Sequence, residues 1–308
     1  MEVCSCDVTL GNTGKPGCKK AYLVTKYLLL TAILGSTGTA NSFDVSAGEP
    51  QSADITAAIN ATDPKDRIYP IGEFEDITDE RAEAIFQEFN SGKKVRVREG
   101  FREFIGFVPN CEPLVEGKIK KAGCSAIGAF MVDAAGNFVF SAQQEDGIIN
   151  TAYPVHIDQD TLDVMYVKAT DTTIAGLMIK FQWKSTEKDS WLRQVAASDL
   201  DWNGSILNGL IDVNGITANI VLDDTVDLTL IDDYGFPVEG LVAGDFALAN
   251  LTTPGPVAID SVTEIAEGVY TIDYTTAAVG AGQELEATIT KTGFDFTKVK
   301  DDSTWTTV

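Results

Sequence analysis

The chain has 308 residues, of which 46 are acidic and 23 are basic, so its formal net charge is −23. This excess of acids argues against nucleic acid as a tightly held partner, because phosphates would be repelled. A hydrophobic content of 44% is ordinary for a globular protein and argues against general disorder. Residues 1–205 carry 20 bases and 29 acids, whereas residues 206–308 carry 3 bases and 17 acids, a change that predicts two domains meeting near residue 205.

The five cysteines are an odd number, and all lie within the first 124 residues. This distribution argues against a secreted scaffold that disulfides hold together. Cys4, Cys6 and Cys18 have the beginning of a metal-binding spacing, but a fourth ligand is missing and the only histidine, His156, is remote. We therefore predict reduced cysteines, with no bound metal and no cofactor.

The first 20 residues are rich in Gly, Cys and Lys, which predicts an arm. Three lysines precede the apolar run Tyr27–Leu34, as in a signal peptide, but Lys26 interrupts that pattern. The run is also too short to span a membrane, so we expect no membrane partner. A buried strand over Ala21–Leu34 is the better prediction, followed by a loop over Gly35–Ala53 and a short helical turn at Ile55–Asn60.

The stretch Ile77–Pro109 predicts one helix followed by one long strand. Acids after a threonine cap and apolar residues at spacings of three and four favour a helix that ends at Gly92. Beyond this glycine, apolar and charged residues alternate as in a strand. We predict that the solvated face of this strand carries Arg96, Arg98 and Arg102. Alternatively, these arginines form a surface that pairs with the acids of a neighbouring molecule.

After Pro109 the pattern predicts a second short helix, which includes Leu114 and Ile119, and then a meander of strands. The predicted strands are Cys124–Val132, Phe138–Ala142, Tyr153–Ile157, Leu162–Ala169 and Leu177–Ser185. In the last of these, apolar and polar residues alternate most clearly. A helix over Glu187–Val195 is predicted to close the first domain.

Ala196–Asn214 is the predicted linker between the domains. A DxDxNG motif that begins at Asp199 matches the first half of a calcium-binding loop, but Leu210 stands where the closing acid belongs. We therefore predict a solvated acidic turn at this position.

Short strands at regular spacing, separated by turns rich in Gly, Pro and Asp, predict that the second domain is a two-sheet sandwich. These strands are Ile216–Leu222, Thr225–Ile231, Phe246–Asn250, Val257–Val262, Val269–Tyr274 and Leu285–Lys291. The polar tail Asp301–Val308 is predicted to be loose.

The second domain resembles bacterial immunoglobulin-like modules. The resemblance is carried by VDLTLIDDYGFPVEGLVAGDF, a strand–turn–strand unit with an Asp-x-x-Gly-x-Pro-Val turn, and by the strand EIAEGVYTIDY. Such modules occur in surface adhesins and as decorations on phage virion proteins, so host-surface glycans are one partner that the resemblance implies.

The first two thirds of the chain resemble structural proteins of tailed phages, with the tail tube protein as the best match. The resemblance is carried by CDVTLGNTGKPGC, DPKDRIYPIGEFEDITDERAEAIFQEFNSGKKVRVREGFREFIG and ATDTTIAGLMIKFQWKSTEKD. It implies a virion protein made in the host cytoplasm, whose rings, hexameric in that family, stack into a tube. Its partners would be further copies of itself, other tail proteins and DNA that passes without tight binding.

We therefore expect a mainly β protein: a β-sandwich with one or two flanking helices in residues 1–205, then an immunoglobulin-like sandwich in residues 206–308. We predict no enzymatic activity, because His156 has no catalytic companion in sequence and abundant carboxylates form neighbouring pairs by chance. These pairs include Asp158 with Asp160 and Asp232 with Asp233. The tryptophans are expected to be core or interface anchors: Trp183, Trp191, Trp202 and Trp305. The alternatives are a capsid decoration, head fibre, neck or baseplate protein, and, less favoured, a surface adhesin.

Overall fold

A computed structural model describes residues 22–46, 50–122, 125–144, 147–222, 224–275, 279–297 and 304–307. These residues form 22 β-strands and two α-helices, which confirms the predicted mainly β fold with few helices. The division into domains 1–205 and 206–308 stays a prediction, and the predicted arm, residues 1–20, lies outside the described ranges.

The N-terminal part contains both helices and the first thirteen strands. The helices are α1 (Ser52–Ile59) and α2 (Pro113–Ala122). The strands are β1 (Thr25–Ala32), β2 (Phe43–Asp44), β3 (Ile68–Gly72), β4 (Glu75–Arg81), β5 (Ile85–Glu88), β6 (Lys94–Arg98), β7 (Arg102–Pro109), β8 (Ile127–Asp133), β9 (Phe138–Ser141), β10 (Thr151–Ala152), β11 (Val155–Val167), β12 (Gly176–Trp183) and β13 (Leu192–Val195).

Nine of these strands form one antiparallel sheet in the order β13-β9-β8-β11-β12-β7-β4, with β1 beside β8 and β3 beside β1. Strand β11 pairs with β8 only at Val155 and His156, and then with β12 along the rest of its length. The sheet therefore bends at β11, and its two halves enclose a core that includes Leu28, Phe104 and Ile179.

A second core lies on the other side of β1 and β8, because successive side chains of a strand point to opposite faces. Leu28 and Leu30 enter the first core, and Leu29 between them enters the second. Helix α1 covers this second core with Ile55 and Ile59. Burial on both faces explains the uninterrupted apolar sequence of β1 and confirms the predicted buried strand.

The predicted helix after Ile77 is wrong, because this stretch forms strands β4 and β5. Strand β4 pairs with β7 from Thr78 opposite Ile105 to Arg81 opposite Arg102. These contacts with residues more than twenty positions away outweigh the local helical pattern. The predicted long strand is also divided, because β6 and β7 are separate strands.

The predicted helix over Glu187–Val195 is also wrong. Residues Asp189–Trp191 form a single 3-10 turn. The residues after it form β13, which pairs with β9 along its length, starting with Leu192 opposite Ser141. The predicted second helix is confirmed as α2, and the predicted turn at Ile55–Asn60 is confirmed as part of α1.

The C-terminal strands form two sheets around a single core, as a sandwich does. The five-stranded sheet has the order β18-β19-β15-β14-β21, and the four-stranded sheet has the order β17-β16-β20-β22. The strands are β14 (Ile211–Leu222), β15 (Thr225–Asp232), β16 (Phe246–Asn250), β17 (Gly255–Val257), β18 (Ile259–Ala266), β19 (Val269–Tyr274), β20 (Glu284–Ile289), β21 (Phe294–Asp295) and β22 (Thr304–Thr306).

Two predictions for this part are corrected. The predicted strand Val257–Val262 is two strands in different sheets, since β17 pairs with β16 and β18 pairs with β19. The predicted loose tail contains β22, which pairs with β20, and the side chain of Trp305 is buried in the sandwich core. Burial of this indole holds the polar tail in place.

Ion pairs join the C-terminal sandwich to the N-terminal part. Arg67, just before β3, pairs with Asp295 of β21, and both side chains are only 7% exposed. Lys118 of α2 lies 2.7 Å from Asp233 and 3.1 Å from Asp212.

Candidate assembly surface

The segment between β4 and β7 forms a separate two-stranded sheet, which we call the projecting hairpin (residues 83–99). Strand β5 pairs antiparallel with β6, from Ile85 opposite Arg98 to Glu88 opposite Lys94. The turn is closed by a 3.0 Å hydrogen bond from the Phe89 N–H to the carbonyl of Lys93. Gly92 has a φ of 77° there, a conformation that glycine adopts without steric cost.

Every residue of the hairpin from Ile85 to Glu99 is exposed to solvent. The exposed residues include large apolar side chains, with Phe86 exposed by 57% and Val97 by 59%. The others are Ile85, Phe89 and Val95. Scattered apolar residues are normal on a protein surface, but five on one short hairpin make the hairpin a candidate contact surface.

One strand of the hairpin is basic within a strongly acidic chain, although residues 83–99 as a whole hold four bases and three acids. Residues 93–98, with the sequence KKVRVR, hold four of the 23 bases and no acid. Two contacts within the hairpin neutralise part of this charge: Lys94 lies 3.4 Å from Glu88, and Arg96 pairs with Glu99. The remaining cations make the hairpin complementary to an acidic surface.

Two close backbone contacts join the hairpin to the nine-stranded sheet. The Ala82 N–H donates a 2.8 Å hydrogen bond to the Phe101 carbonyl, so the chain continues directly from the β4–β7 pair. A Cβ atom on Gly100 would lie 1.7 Å from the Ala82 carbonyl oxygen. The two strands therefore approach each other at the base so closely that position 100 requires glycine.

A network of charged side chains braces this base. Arg102 of β7 binds the Asp79 carboxylate through two nitrogens, with Nε 2.7 Å from Oδ1, and its guanidinium lies 5.4 Å from the centre of the Trp183 ring. The Trp183 indole N–H donates a 3.1 Å hydrogen bond to the same Asp79 oxygen. Two-point contacts of this kind fix an arginine in one orientation.

A second arginine ties the hairpin base to the turn before β13. Arg81 binds Asp189 through two hydrogen bonds of 2.8 Å and donates a third, of 2.9 Å, to the Gly100 carbonyl. The hydrogen bonds from Arg81 hold the pKa of Asp189 below its ordinary value despite partial burial. The hairpin is thus an exposed arm on a fixed base, a geometry suited to binding another protein.

The three predicted surface arginines do not share one strand face. Arg96 and Arg98 lie on the hairpin, whereas Arg102 belongs to its base and is largely buried. Sequence reasoning missed the partners of Arg102, namely Asp79 and Trp183. The row of three arginines is the signal in the sequence, and its alternative interpretation, a surface for the acids of a neighbouring molecule, is the one that concerns Arg96 and Arg98 here.

His156 is close to two other polar side chains, but they do not form a catalytic arrangement. Its Nδ1 lies 3.4 Å from Glu187, and Ser141, which is fully buried, donates a 3.1 Å hydrogen bond to Glu187 and not to the imidazole. Burial lowers the pKa of His156, with help from the positive charge of Lys184, and burial raises the pKa of Glu187. The imidazole is therefore not hydrogen-bonded to the serine hydroxyl, as it is in a Ser-His catalytic pair.

The other polar residues singled out from the sequence have structural contacts. Asp232 accepts hydrogen bonds from the N–H groups of Tyr234 and Phe236 in a turn, and Asp233 pairs with Lys118. Asp158 and Asp160 lie on β11, where the pairing with β12 shifts register. Trp183, Trp202 and Trp305 are buried, as predicted for core anchors, and Trp191 is partly buried.

The half calcium loop is engaged in hydrogen bonds within the protein. Asp201 accepts hydrogen bonds from the N–H and hydroxyl of Ser52, at 2.7 and 2.9 Å, and Asn203 accepts one from the Ser205 N–H. Among the described residues, no group of three or more His, Cys, Asp or Glu side chains is placed to hold a metal. Cys4, Cys6, Cys18 and Cys124 lie outside the described ranges, and Cys111 is a free, partly buried thiol.

A second, smaller exposed surface lies at one end of the C-terminal sandwich. Two of its loops are held together by Glu264, whose carboxylate accepts hydrogen bonds from the N–H groups of Gly240 and Gly268. Large apolar side chains in and beside these loops are exposed, namely Phe236, Val242 and Ile265.

No family model matches the chain, and no curated protein matches it. In the ranges that the structure describes, no helix is long and apolar enough to cross a membrane. Among the described residues, the projecting hairpin carries five exposed large apolar side chains and the end of the C-terminal sandwich carries three. The hairpin is therefore the main candidate surface.

Proposed function

We propose that this chain is a non-enzymatic structural protein of a tailed-phage virion, which self-assembles into stacked rings that form the tail tube. The observation that carries the proposal is the projecting hairpin. An arm with five exposed apolar side chains and a basic strand, fixed to its base by Arg81 and Arg102, is suited to permanent contact with another molecule.

A second copy of the chain is the partner that fits the charge of the hairpin. Outside residues 93–98 the chain carries 19 bases and 46 acids, so a neighbouring copy offers an acidic surface. Contact between an arm on one copy and a different surface on the next is head-to-tail, and such contacts generate rings or open stacks. In the described sheet, β4 and β13 also end the main strand order, and unpaired strand edges favour pairing between subunits.

Burial of the hairpin between copies also suits a conduit for DNA. Each free cation on the wall would add an affinity for phosphate that depends on salt. With the hairpin covered, the acidic remainder lets DNA pass without tight binding. The C-terminal sandwich, with 17 acids and 3 bases in residues 206–308, then lies outside the tube, where host-surface glycans and other tail proteins are its proposed partners.

The resemblance to tail tube proteins adds a ring of six subunits, synthesis in the host cytoplasm and a location in the tail of the virion. A capsid decoration or head fibre protein is the second candidate. The exposed Phe236, Val242 and Ile265 at the end of the C-terminal sandwich favour it, because they offer an attachment surface separate from the hairpin.

Negative-stain electron microscopy and light scattering of the purified chain test the proposal. We expect stacked rings or tubes, and we expect Phe86→Ser combined with Val97→Ser to abolish them without changing the urea midpoint. Ile148→Ser is the matched control, because Ile148 is 85% exposed and is not part of the hairpin, so its replacement should leave assembly intact. A monomer of the unaltered chain at high concentration in every salt condition would refute self-assembly.

A chain that ends at residue 210 separates the two parts. We expect its tubes to form but to lack outer knobs. Small closed oligomers that bind phage heads, and never filaments, would favour the second candidate.

A further inference from the structure

A crevice of about 550 Å³ opens where the C-terminal sandwich meets the N-terminal part. Its volume lies within the range of about 300–1,000 Å³ that is usual for small-molecule sites, which often occur where domains meet. One wall is formed by Asn60 and Thr62, after α1, and the other by residues 287–297, from the end of β20 to just beyond β21.

The floor of the crevice is apolar and includes aromatic rings. Phe294 is partly exposed, and its ring lies 6.2 Å from that of Phe296, between centroids. Ile289 and Leu210 complete the apolar floor. A partly exposed aromatic ring in a crevice offers a flat surface against which a ligand with an apolar face can pack.

The rim of the crevice carries hydroxyl groups that the described part of the protein does not use. The backbone carbonyl of Thr62 accepts a hydrogen bond from Arg67, and the backbone N–H of Thr290 donates one to the Asp245 carbonyl. Neither contact involves the threonine hydroxyl. Thr292 and the amide oxygen of Asn60 add further polar groups, since the Asn60 amide nitrogen already donates to Thr56. These groups donate and accept hydrogen bonds without carrying charge.

The positive and negative side chains that line the crevice are equal in number, and each already makes a contact within the protein. Arg67 and Asp295 form a buried ion pair. The Lys291 ammonium donates to the carbonyls of Glu239 and Gly240, at 2.8 Å each, and Asp245 accepts a 2.9 Å hydrogen bond from the Val242 N–H. The two cations and two anions among the described lining residues cancel, so these residues do not favour phosphate, sulfate or carboxylate ligands.

From this combination we infer that the crevice is a binding site for a neutral saccharide, with one face of a sugar ring against Phe294 and its hydroxyls bonded to Thr62, Thr290 and Thr292. A sugar fits because it has an apolar C–H face and many uncharged hydrogen-bonding groups, the two features that the floor and rim provide. The inference rests on the proposed function in that glycans are the partners proposed there for the C-terminal sandwich, but it does not depend on self-assembly.

Saturation-transfer NMR with maltotriose, cellotriose and N-acetyllactosamine tests the inference on the full chain. We expect at least one of them to bind at millimolar concentration. Thr290→Val combined with Thr292→Val should weaken binding by more than tenfold, because each lost neutral hydrogen bond changes the binding constant by about fivefold. These replacements keep the shape of the side chains. The matched control is Thr263→Val, an exposed threonine on β18 that does not line the crevice.

Three results would overturn the inference. They are no binding of any of the three sugars at concentrations of tens of millimolar, equal binding to the double valine variant, or stronger binding of an anionic sugar such as sialyllactose. Each can occur whether or not the chain forms tubes, so a failure of this inference is distinct from a failure of the proposed function.

Discussion

The ion pair between Arg67 and Asp295 gives the sharpest test of how the two parts of the chain hold together. Replacing Arg67 with methionine keeps most of the side-chain volume but removes its donors to Asp295 and to the carbonyls of Ala61 and Thr62. Asp295 would stay buried, and among the described residues its remaining side-chain donors are the N–H and hydroxyl of Thr297. The substitution therefore leaves a buried carboxylate without its counter-ion, which differs from the removal of one partner of a surface ion pair.

Breaking a buried pair on one side costs about 3–5 kcal/mol, because the remaining charge is desolvated and uncompensated. With a denaturant dependence of about 2 kcal/mol per molar urea, a loss of about 3 kcal/mol lowers the urea midpoint of the affected transition by about 1.5 M. Burial opposes ionisation of Asp295, but Arg67 and Thr297 outweigh it, so the pKa of Asp295 lies below its ordinary value. The stabilisation by the pair is thus present near neutral pH and is lost as the pH falls through that lowered pKa.

Urea unfolding followed by tryptophan fluorescence at pH 7 measures the effect. Arg67→Met with Asp295→Asn should recover at least half of the loss, because no charge is then left unpaired. Lys65→Met, an exposed neighbour, is the control and should change the free energy of unfolding by less than about 0.5 kcal/mol. A single variant that loses less than about 1 kcal/mol, or a double variant less stable than the single one, would refute the reasoning.

Three further predictions concern other parts of the molecule. Gly100→Ala should destabilise the protein by about 1–3 kcal/mol in urea unfolding and speed hydrogen exchange of the Ala82 amide, because the added Cβ meets the Ala82 carbonyl; unchanged exchange would contradict the close approach. His156→Asn should flatten the decline in stability between about pH 7 and pH 5 by at most about 1.4 kcal/mol per pH unit. The lowered pKa of His156 means that the folded state resists its protonation, so the native protein loses stability as the pH falls, and an unchanged slope would exclude this histidine as the cause. Trp305→Ala should cost about 3–5 kcal/mol in calorimetry or urea unfolding, whereas a loss under about 0.5 kcal/mol would mean that the tail is as loose as its composition suggests.

Several elements could be predicted from the sequence because their information is local. Strands β16 and β19 have the predicted bounds, and the alternation in the predicted strand Leu177–Ser185 puts Ile179 and Phe181 on one face, which the structure buries in the core. The apolar run of β1 indicated burial on both sides. In each case the periodicity of side chains along one strand was sufficient, since one face or both faces of that strand are buried.

Other elements depend on partners that are distant in sequence. Strand β4 was mistaken for a helix because its apolar residues and those of β5 also fit a helical spacing, and only the pairing with β7 and the contacts of Asp79 with Arg102 and Trp183 make it a strand. Strand β13 likewise forms because its backbone pairs with the edge of β9. Hydrogen bonds to another strand give a short segment stability that its own sequence does not supply.

For the candidate site, the sequence by itself determined the composition of the hairpin: apolar residues among a run of cations within an acidic chain. It did not determine that Phe86 and Val97 are exposed, because Phe86 would be buried on the predicted helix packed against the sheet, and Val97 would be buried on the apolar face of the predicted strand. Exposure follows from the close crossing at Gly100 and the fixed base at Arg102, which carry the hairpin away from the nine-stranded sheet. Burial is a property of the whole fold, so only the tertiary structure could decide which apolar residues are free to bind a partner.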